Sequence, residues 1–229
     1  MTLTVIIPAH NEAENLERCI YQTLHHLPDA IIHIAEDGST DTTQQIVATL
    51  ASLFPQIIYT HNTERLGKGE AQRRAIQLHP NNTILLMDAD LATDLNSLPQ
   101  MLWTLKAKGG LIIGNRTHPN SHTYRSTKRR ITSWTYNTLV RLLFHDGIKD
   151  HQCGFKLLTP TVAAIAETCT SKNYIWDTEL ITKTKNAGIP ITEVPVTWHE
   201  QKKQSTVNLW RDGTRMLKEL LHLRWESRR

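Results

Sequence analysis

The chain has 229 residues, 26 Lys and Arg against 22 Asp and Glu for a formal charge of +4, and 39 % hydrophobic residues. This composition excludes a disordered or fibrous protein, and no apolar stretch approaches the roughly 18 residues that a membrane-spanning helix needs. Cys19, Cys153 and Cys169 are odd in number and widely spaced, which argues against a disulfide framework or a zinc site, and none of the 12 histidines falls in a metal-ligand spacing.

The length suits one α/β domain with a sizeable core. The amino terminus enters a strand without the basic and apolar regions of a signal peptide, so a cytoplasmic location with reduced thiols is expected. The mild positive excess suits nucleic acid, anionic lipid or a phosphorylated substrate.

Leu3 to Ile7 reads as a buried strand ended by Pro8, after which Asn11 and Glu12 open an amphipathic helix with Leu16, Ile20, Leu24 and Leu27 on its buried side. Ala30 to Ala35 is a second strand running into Glu36-Asp37-Gly38-Ser39-Thr40-Asp41. Asp41 with Gln44 resembles a capping box for the next helix. Gln56 to Thr60 is a third strand, and the basic turn Arg65-Leu66-Gly67-Lys68-Gly69 enters a helix running to about Leu78. A fourth strand, a helix near Leu98 to Ala107 and a strand at Leu111 to Ile113 follow.

Strands alternating with helices imply right-handed crossovers and a mostly parallel, Rossmann-like sheet. Pro8-Ala9-His10-Asn11-Glu12 stands where a dinucleotide site would have G-x-G-x-x-G, which argues against such a cofactor. Asp37 can accept hydrogen bonds from a base or ribose; alternatively Asp37-Gly38-Ser39 is a plain turn and helix start.

The fourth strand carries the sharpest signal. Residues 83–94 begin with the continuous apolar run Ile84 to Met87 and stop at Asp88-Ala89-Asp90. Side chains alternate along an extended chain, so the strand is expected to point Asp88 and Asp90 the same way. Like charges so placed need a cation, or one must hold its proton. A hard divalent ion that completes its shell with phosphate oxygens fits, because open α/β sheets bind ligands at the carboxyl ends of their strands.

From Arg116 to Arg130 there are five basic residues (Arg116, Arg125, Lys128, Arg129, Arg130) and no acid, in what is expected to be a long loop. It reads either as a solvated loop or as a clamp over phosphate. A helix from about Arg130 to Phe144 precedes the turn Asp150-His151-Gln152-Cys153-Gly154-Phe155-Lys156 and a short strand. Helices near Thr161 to Thr168 and Thr178 to Ala187 lead to the strand Ile189 to Trp198, whose two prolines mark it as edge or irregular. The tail, residues 207–229, has a helical apolar stripe and six basic residues against three acids. It suits either a membrane interface or packing on the sheet.

The combination of Val5-Ile6-Ile7-Pro8-Ala9-His10-Asn11-Glu12, Glu36-Asp37-Gly38-Ser39-Thr40-Asp41 and Asp88-Ala89-Asp90 resembles the inverting family 2 glycosyltransferases of GT-A fold. Gly114-Asn115-Arg116, the segment Asp150 to Lys156, and Glu193-Val194-Pro195-Val196-Thr197-Trp198 resemble the polyprenyl-phosphate sugar transferases, the dolichyl-phosphate glucosyltransferase branch above all and the mannosyltransferase branch next. The match covers nearly the whole chain. It implies one GT-A domain, with residues 1–114 as the nucleotide-sugar half, 115–206 as the acceptor half and 207–229 as an amphipathic tail.

The resemblance implies that Pro8, Ala9, His10, Glu12, Ala35, Asp37, Lys68, Asp88, Ala89 and Asp90 bind the nucleotide sugar, UDP- or GDP-linked. Asp88 and Asp90 would hold Mg²⁺ or Mn²⁺. Arg116, Arg129 and Arg130 would meet the acceptor phosphate, with Lys202 or Lys203 in a loop closing over the site; Asp88, Asp90, Arg116 and Arg129 would carry catalysis. The acceptor would be dolichyl or polyprenyl phosphate and the sugar a hexose, glucose before mannose or N-acetylglucosamine. The protein would sit on the cytoplasmic face of a membrane, through 207–229 or a separate membrane subunit, with no nucleic-acid partner.

There are departures. Ala92 stands where mannosyltransferase relatives often have a metal-binding glutamine, and Ser205-Thr206 replaces a frequent Ser-Lys. Relatives often continue into transmembrane helices, whereas this sequence ends at Arg229. A phosphate acceptor is already ionised and needs no strong base; a sugar hydroxyl acceptor needs one, and Asp177 or Glu179 would be the candidates. A D-x-D phosphatase and a non-catalytic sugar-nucleotide-binding module are the remoter alternatives.

Overall fold

The computed structural model describes residues 2–124, 126–200 and 209–226, with side chains except at 128, 129, 209–215 and 226. Its centre is a seven-stranded sheet in the order β3-β2-β1-β4-β7-β5-β8. The first strands are β1 (Leu3–Ala9), β2 (Ile31–Asp37), β3 (Ile57–Asn62) and β4 (Thr83–Leu86), separated by helices α1 (Leu16–His26), α2 (Thr43–Leu53) and α3 (Lys68–Gln77). All their pairings are parallel, with Val5 opposite both Ile32 and Leu85. Val5, Ile6, Ile32, Ile34, Ile84 and Leu85 are fully buried, because helices cover both faces of these strands. The edge strand β3 is different: Ile58 and Tyr59 are exposed.

After β4 come a 3-10 turn at Leu95–Ser97, helix α4 (Leu98–Lys108) and β5 (Leu111–Asn115). Then follow β6 (His122–Tyr124), α5 (Thr127–Phe144), β7 (Lys156–Leu158), α6 (Pro160–Glu167), α7 (Ile175–Asn186), β8 (Ile191–Pro195), β9 (Thr197–His199) and α8 (Leu209–Glu226). Strand β7 enters between β4 and β5, antiparallel to both. Strand β8 pairs with β5 at the other edge, where Pro195 can lack a donor without breaking a ladder. The sheet is α/β, mostly parallel, with helices packed on it.

Several local expectations change. The expected long basic loop holds β6, which pairs in parallel with β9 as a small second sheet. The expected strand from Ile189 to Trp198 is therefore two strands in two sheets. Helix α5 begins at Thr127 rather than Arg130, with Ser126 before it in an extended conformation, and α7 begins at Ile175 rather than Thr178. Asp41 forms no capping box with Gln44; its carboxylate accepts from the Thr43 backbone N–H at 2.9 Å and the Ala13 N–H at 3.4 Å, joining two loops.

Candidate active site

Parallel strands send their carboxyl ends to one side, so the loops after β1, β2, β3 and β4 converge there. Asp37, at the end of β2, is buried and its two carboxylate oxygens accept from the backbone N–H groups of Leu66 and Gly67 at 2.8 and 2.9 Å. Gly67 has a φ of 102°, and a Cβ there would lie 2.5 Å from the Lys172 carbonyl oxygen. Asp37 therefore builds the loop that starts α3. Its carboxylate does not stand open toward a base, as the sequence suggested.

Beside it, buried Glu36 accepts from the Ser39 N–H at 2.6 Å and pairs with the His61 ring. Burial alone would raise its carboxyl; these contacts outweigh burial and hold it below the usual carboxylate range. The His10 ring bonds to the Asp37 carbonyl oxygen at 2.7 Å, and the Glu12 carboxylate accepts from Asn15 at 2.7 Å. Pro8 is half-buried, whereas Ala9 and Ala35 are enclosed within the sheet and expose almost no surface to a ligand.

Strand β4 ends at Leu86, so strand alternation does not place Asp88 and Asp90. A turn does. Leu91 takes a φ of 53°, a left-handed conformation costing a leucine about 1–2 kcal/mol. The next residues are then tied to β9: Ala92 accepts from the His199 N–H at 2.7 Å, and Asp94 donates to the Thr197 carbonyl at 2.9 Å. Ala92 is buried in this seam and adds no ligand. The Asp90 carboxylate accepts from the Ala92 N–H at 2.9 Å, while Arg18 donates to the Asp90 carbonyl at 3.1 Å.

Asp88 accepts from the Lys68 ammonium at 2.5 Å. Its side chain is 43 % exposed. On its other flank, a Cβ on Gly154 would lie 2.3 Å from Asp88 Oδ2, so only glycine lets the carboxylate occupy this position. Desolvation pushes the Asp88 carboxyl up, but the Lys68, Lys156 and Arg116 charges outweigh it and keep it ionised. Asp90 is pushed up to about 6 by burial and by the Asp88 charge.

Two carboxylates in one turn, one of them raised by the other's charge, fit a hard divalent ion. Asp88 and Asp90 would hold it. Among the described residues no group of three His, Cys, Asp or Glu stands together to hold an ion; a hard ion on two carboxylates would complete its shell with substrate oxygens or water. Such an ion would neutralise charge on a leaving diphosphate.

Arg116, at the end of β5, is less free than a mobile phosphate clamp would be. Its Nε and Nη2 bond Asp150 at 2.7 Å each, its own N–H adds a third bond at 2.9 Å, and the guanidinium carbon lies 5.7 Å from the Trp198 ring centre. Asp150 is completely buried; the Arg116 charge and hydrogen bonds overcome the burial that would raise its carboxyl and hold it at about 2. No individual role was expected of Asp150, Gly154, Lys156 or Trp198, though each stands in a segment that carried the family resemblance.

The acids considered as a base are engaged. Asp177 pairs with the fully buried Lys156 at 2.6 Å, and Lys156 also donates to the Cys153 carbonyl. Glu179 accepts from the Thr170 and Ser171 N–H groups at 3.0 and 2.8 Å and pairs with Lys183 at 2.8 Å. Ala89 is buried between the two aspartates, and Arg130 is exposed on α5. The Arg129 side chain, Lys202 and Lys203 lie outside the described residues.

The chain is similar in sequence and in fold to known proteins. Glycosyltransferase AglD of Haloferax volcanii is 32 % identical over 232 residues, 98 % of this chain and 37 % of that protein, so the chain spans little over a third of AglD's length. Dolichyl-phosphate beta-glucosyltransferase of Mus musculus is 30 % identical, over 97 % of this chain and 74 % of its own. Among solved structures, glucosyl-3-phosphoglycerate synthase from Mycobacterium tuberculosis with UDP superposes with a TM-score of 0.72 at 17 % identity, covering 99 % of this chain and 79 % of the other. That enzyme has also been solved with Mn²⁺, UDP and glucosyl-3-phosphoglycerate. The fold is thus that of the GT-A glycosyltransferases. The glycosyl transferase family 2 model matches residues 4–164, the stretch that carries β1 to β4, the Asp88–Asp90 turn, Arg116 and the Asp150–Lys156 segment. With most of its length and the site segments from β1 to Lys156 inside that match, the chain belongs to glycosyl transferase family 2.

Proposed function

We propose that the protein transfers a hexose, glucose before mannose or N-acetylglucosamine, from a UDP- or GDP-linked sugar to dolichyl or polyprenyl phosphate, with inversion at the anomeric carbon. The observation that carries this reading is the engagement of Asp177 with Lys156 and of Glu179 with Lys183 and two backbone N–H groups. A hydroxyl acceptor needs a base to take its proton; a phosphate monoester arrives ionised and needs only positioning and charge neutralisation. The dolichyl-phosphate glucosyltransferase similarity supports the same acceptor.

In this reading residues 1–114 hold the donor, residues 115–206 the acceptor, and both belong to one domain. The loops after β1 and β2, with Pro8, His10 and Glu12, flank the nucleoside, and Asp37 acts by holding the 65–67 loop. Lys68 and Asp88 meet the diphosphate, and Asp88 with Asp90 hold Mg²⁺ or Mn²⁺, as the Mn²⁺–UDP complex of the structural neighbour suggests. Arg116, fixed by Asp150, turns its remaining N–H groups toward the acceptor phosphate, with Arg129 or Arg130, and Lys202 or Lys203, as further cations. The acceptor's lipid places the reaction at a membrane surface, on its cytoplasmic face.

Incubating the protein with a panel of nucleotide sugars, a polyprenyl phosphate and Mg²⁺ or Mn²⁺, and analysing lipid extracts for glycolipid, tests the reading. A hexosyl lipid phosphate from one donor is expected. No product with any donor, from protein that is folded, refutes it.

A further inference from the structure

A lysine is seldom enclosed completely, because its ammonium must give up its hydration. Lys156 is enclosed completely, in a strand whose other residues, Leu157 and Leu158, are as buried as it is. Its ammonium donates to the Asp177 carboxylate at 2.6 Å and to the carbonyl of Cys153, three residues back along its own chain. A buried ion pair is a poor way to gain stability: desolvation of both charges consumes most of their attraction, and apolar side chains of similar volume serve a core at least as well. The reason for this pair lies in where it stands.

Strand β7 enters the sheet between the two strands that lead to the site. Lys156 lies opposite Leu86 of β4 on one side and Ile113 of β5 on the other. Asp88 is two residues beyond Leu86, and in an antiparallel pairing the residue facing it is two before Lys156, which is Gly154. The contact agrees, since a Cβ on Gly154 would lie 2.3 Å from Asp88 Oδ2. On the β5 side the Gly114 N–H donates to the Phe155 carbonyl at 2.9 Å, and Arg116 follows two residues later. The turn from Cys153 to Phe155 therefore stands between the Asp88 turn and the Arg116 end of β5.

Glycine gives this turn room for the carboxylate but also freedom to shift, so its place has to be set by its neighbours. Two ties do so. Strand β5 holds the peptide after Gly154 through the Phe155 carbonyl, and Lys156 holds the peptide before it through the Cys153 carbonyl. Asp177, on the separate element α7, fixes the ammonium that makes the second tie. We propose that Lys156 is a positioning residue: by holding the Cys153–Gly154 peptide it keeps the Asp88 carboxylate in the place from which it meets Lys68 and the metal, a role that rests on the metal and nucleotide-sugar reading above. Being enclosed, Lys156 itself touches neither substrate nor ion.

The test neutralises the pair in the full chain by Lys156→Met with Asp177→Asn, side chains of similar volume that leave no buried ion without a partner. Urea unfolding should find this pair about as stable as the unaltered chain. Calorimetric titration of Mn²⁺ in excess UDP-glucose, or in GDP-mannose if that is the donor bound, should show an affinity about tenfold weaker than that of the unaltered chain. In glycolipid formation kcat should fall about tenfold or more, while KM for the lipid phosphate stays within about twofold. Asp177→Asn alone leaves Lys156 on the Cys153 carbonyl, and its folded molecules should keep Mn²⁺ affinity and kcat within a few-fold. Unchanged Mn²⁺ affinity and kcat in the neutral pair would overturn the proposal, as would equal losses in folded Asp177→Asn. Near-UV circular dichroism identifies an unfolded pair, for which Lys156→Leu with Asp177→Asn substitutes; unfolding of both would make the lysine a requirement of the fold and overturn its role in positioning. If the unaltered chain binds Mn²⁺ with a donor, the neutral pair loses that affinity and neither makes glycolipid, the placement of Asp88 by Lys156 stands and the lipid-phosphate reading falls. An unaltered chain that binds no Mn²⁺ with either donor would sink both.

Discussion

The β1–β4 half of the sheet and the α5–α8 pair solve opposite problems. In the first, the acids at the strand ends are engaged by the protein itself: Asp37 by two N–H groups, Glu36 by Ser39 and His61, Asp88 by Lys68. In the second, apolar side chains remain at the surface after the helices have packed. The acids of the site already have partners within the protein, an arrangement that suits preorganised positioning of charge, while the two helices keep apolar side chains at the surface after packing. Within the site the same contrast separates two acidic pairs. Asp88 and Asp90 sit in a strained turn with Asp88 partly open; Asp177 and Glu179 are closed off by lysines and backbone.

Substitution at these two pairs gives the sharpest break. Asp88→Asn or Asp90→Asn is expected to lower glycolipid formation by about 10³-fold, since leaving-group charge loses its counter-ion. Asp177→Asn should keep turnover per folded molecule within a few-fold but lower stability by roughly 3–5 kcal/mol, because Lys156 stays buried without its partner. Initial rates beside urea unfolding distinguish the two; a large rate loss in folded Asp177→Asn protein would restore Asp177 as a base. Gly154→Ala comes next. Its methyl would meet Asp88 Oδ2 at 2.3 Å, so the carboxylate must move and turnover should fall about 10²-fold, with the far-UV spectrum unchanged.

Much of this was readable in advance where one physical rule governs. Apolar runs, ended by Pro8 in β1 and by acid in β2 and β4, predicted these strands, because burial on both faces leaves no alternation to misread. The Asp88–Asp90 pair was legible as a pair but its geometry was not: the strand stops at Leu86, and a left-handed leucine sets the turn. Contacts between distant segments left no local trace. Nothing around Arg116 announces that Asp150 binds it, and nothing around Ala92 announces β9 beside it. The outer face of α5 was missed because Ile131, Trp134 and Leu142 count toward helix formation whichever side they face.

Acid should find weak points in the interior of the β1–β4 half. Buried His33 bonds His79 at 2.8 Å, and burial, then the neighbouring His79, pushes its ring down to about 4 from an ordinary value of 6.5. The unfolded chain therefore binds more protons between those values, and stability falls as pH drops through 6.5 toward 4. The expected loss at this one ring is of the order of 3 kcal/mol. Asp150 acts in a lower window. Its carboxyl is depressed from 3.8 to about 2, so its contribution persists above 3.8 and is lost as pH falls toward 2. Urea midpoints measured from pH 7 to 4 should decline in the unaltered chain and decline less in His33→Gln; parallel curves would place the acid-sensitive group elsewhere.

The smallest expected effect probes how far the site is set before its ligands arrive. Lys68 occupies Asp88 at 2.5 Å, and a cation approaching that carboxylate must compete with the ammonium. A donor diphosphate changes the competition: it offers Lys68 another anion and supplies the oxygens that two carboxylates leave missing. Metal affinity should therefore rise strongly with donor present. Lys68→Met removes the competitor, so donor-free Mn²⁺ binding should tighten about tenfold, while nucleotide-sugar binding weakens because the diphosphate has lost a cation. Calorimetric titration of Mn²⁺ with and without the nucleotide sugar reads both terms. Equal donor-free affinities in the two proteins would mean that Lys68 leaves Asp88 at no cost, and that the ion pair is not what makes the metal wait for the donor.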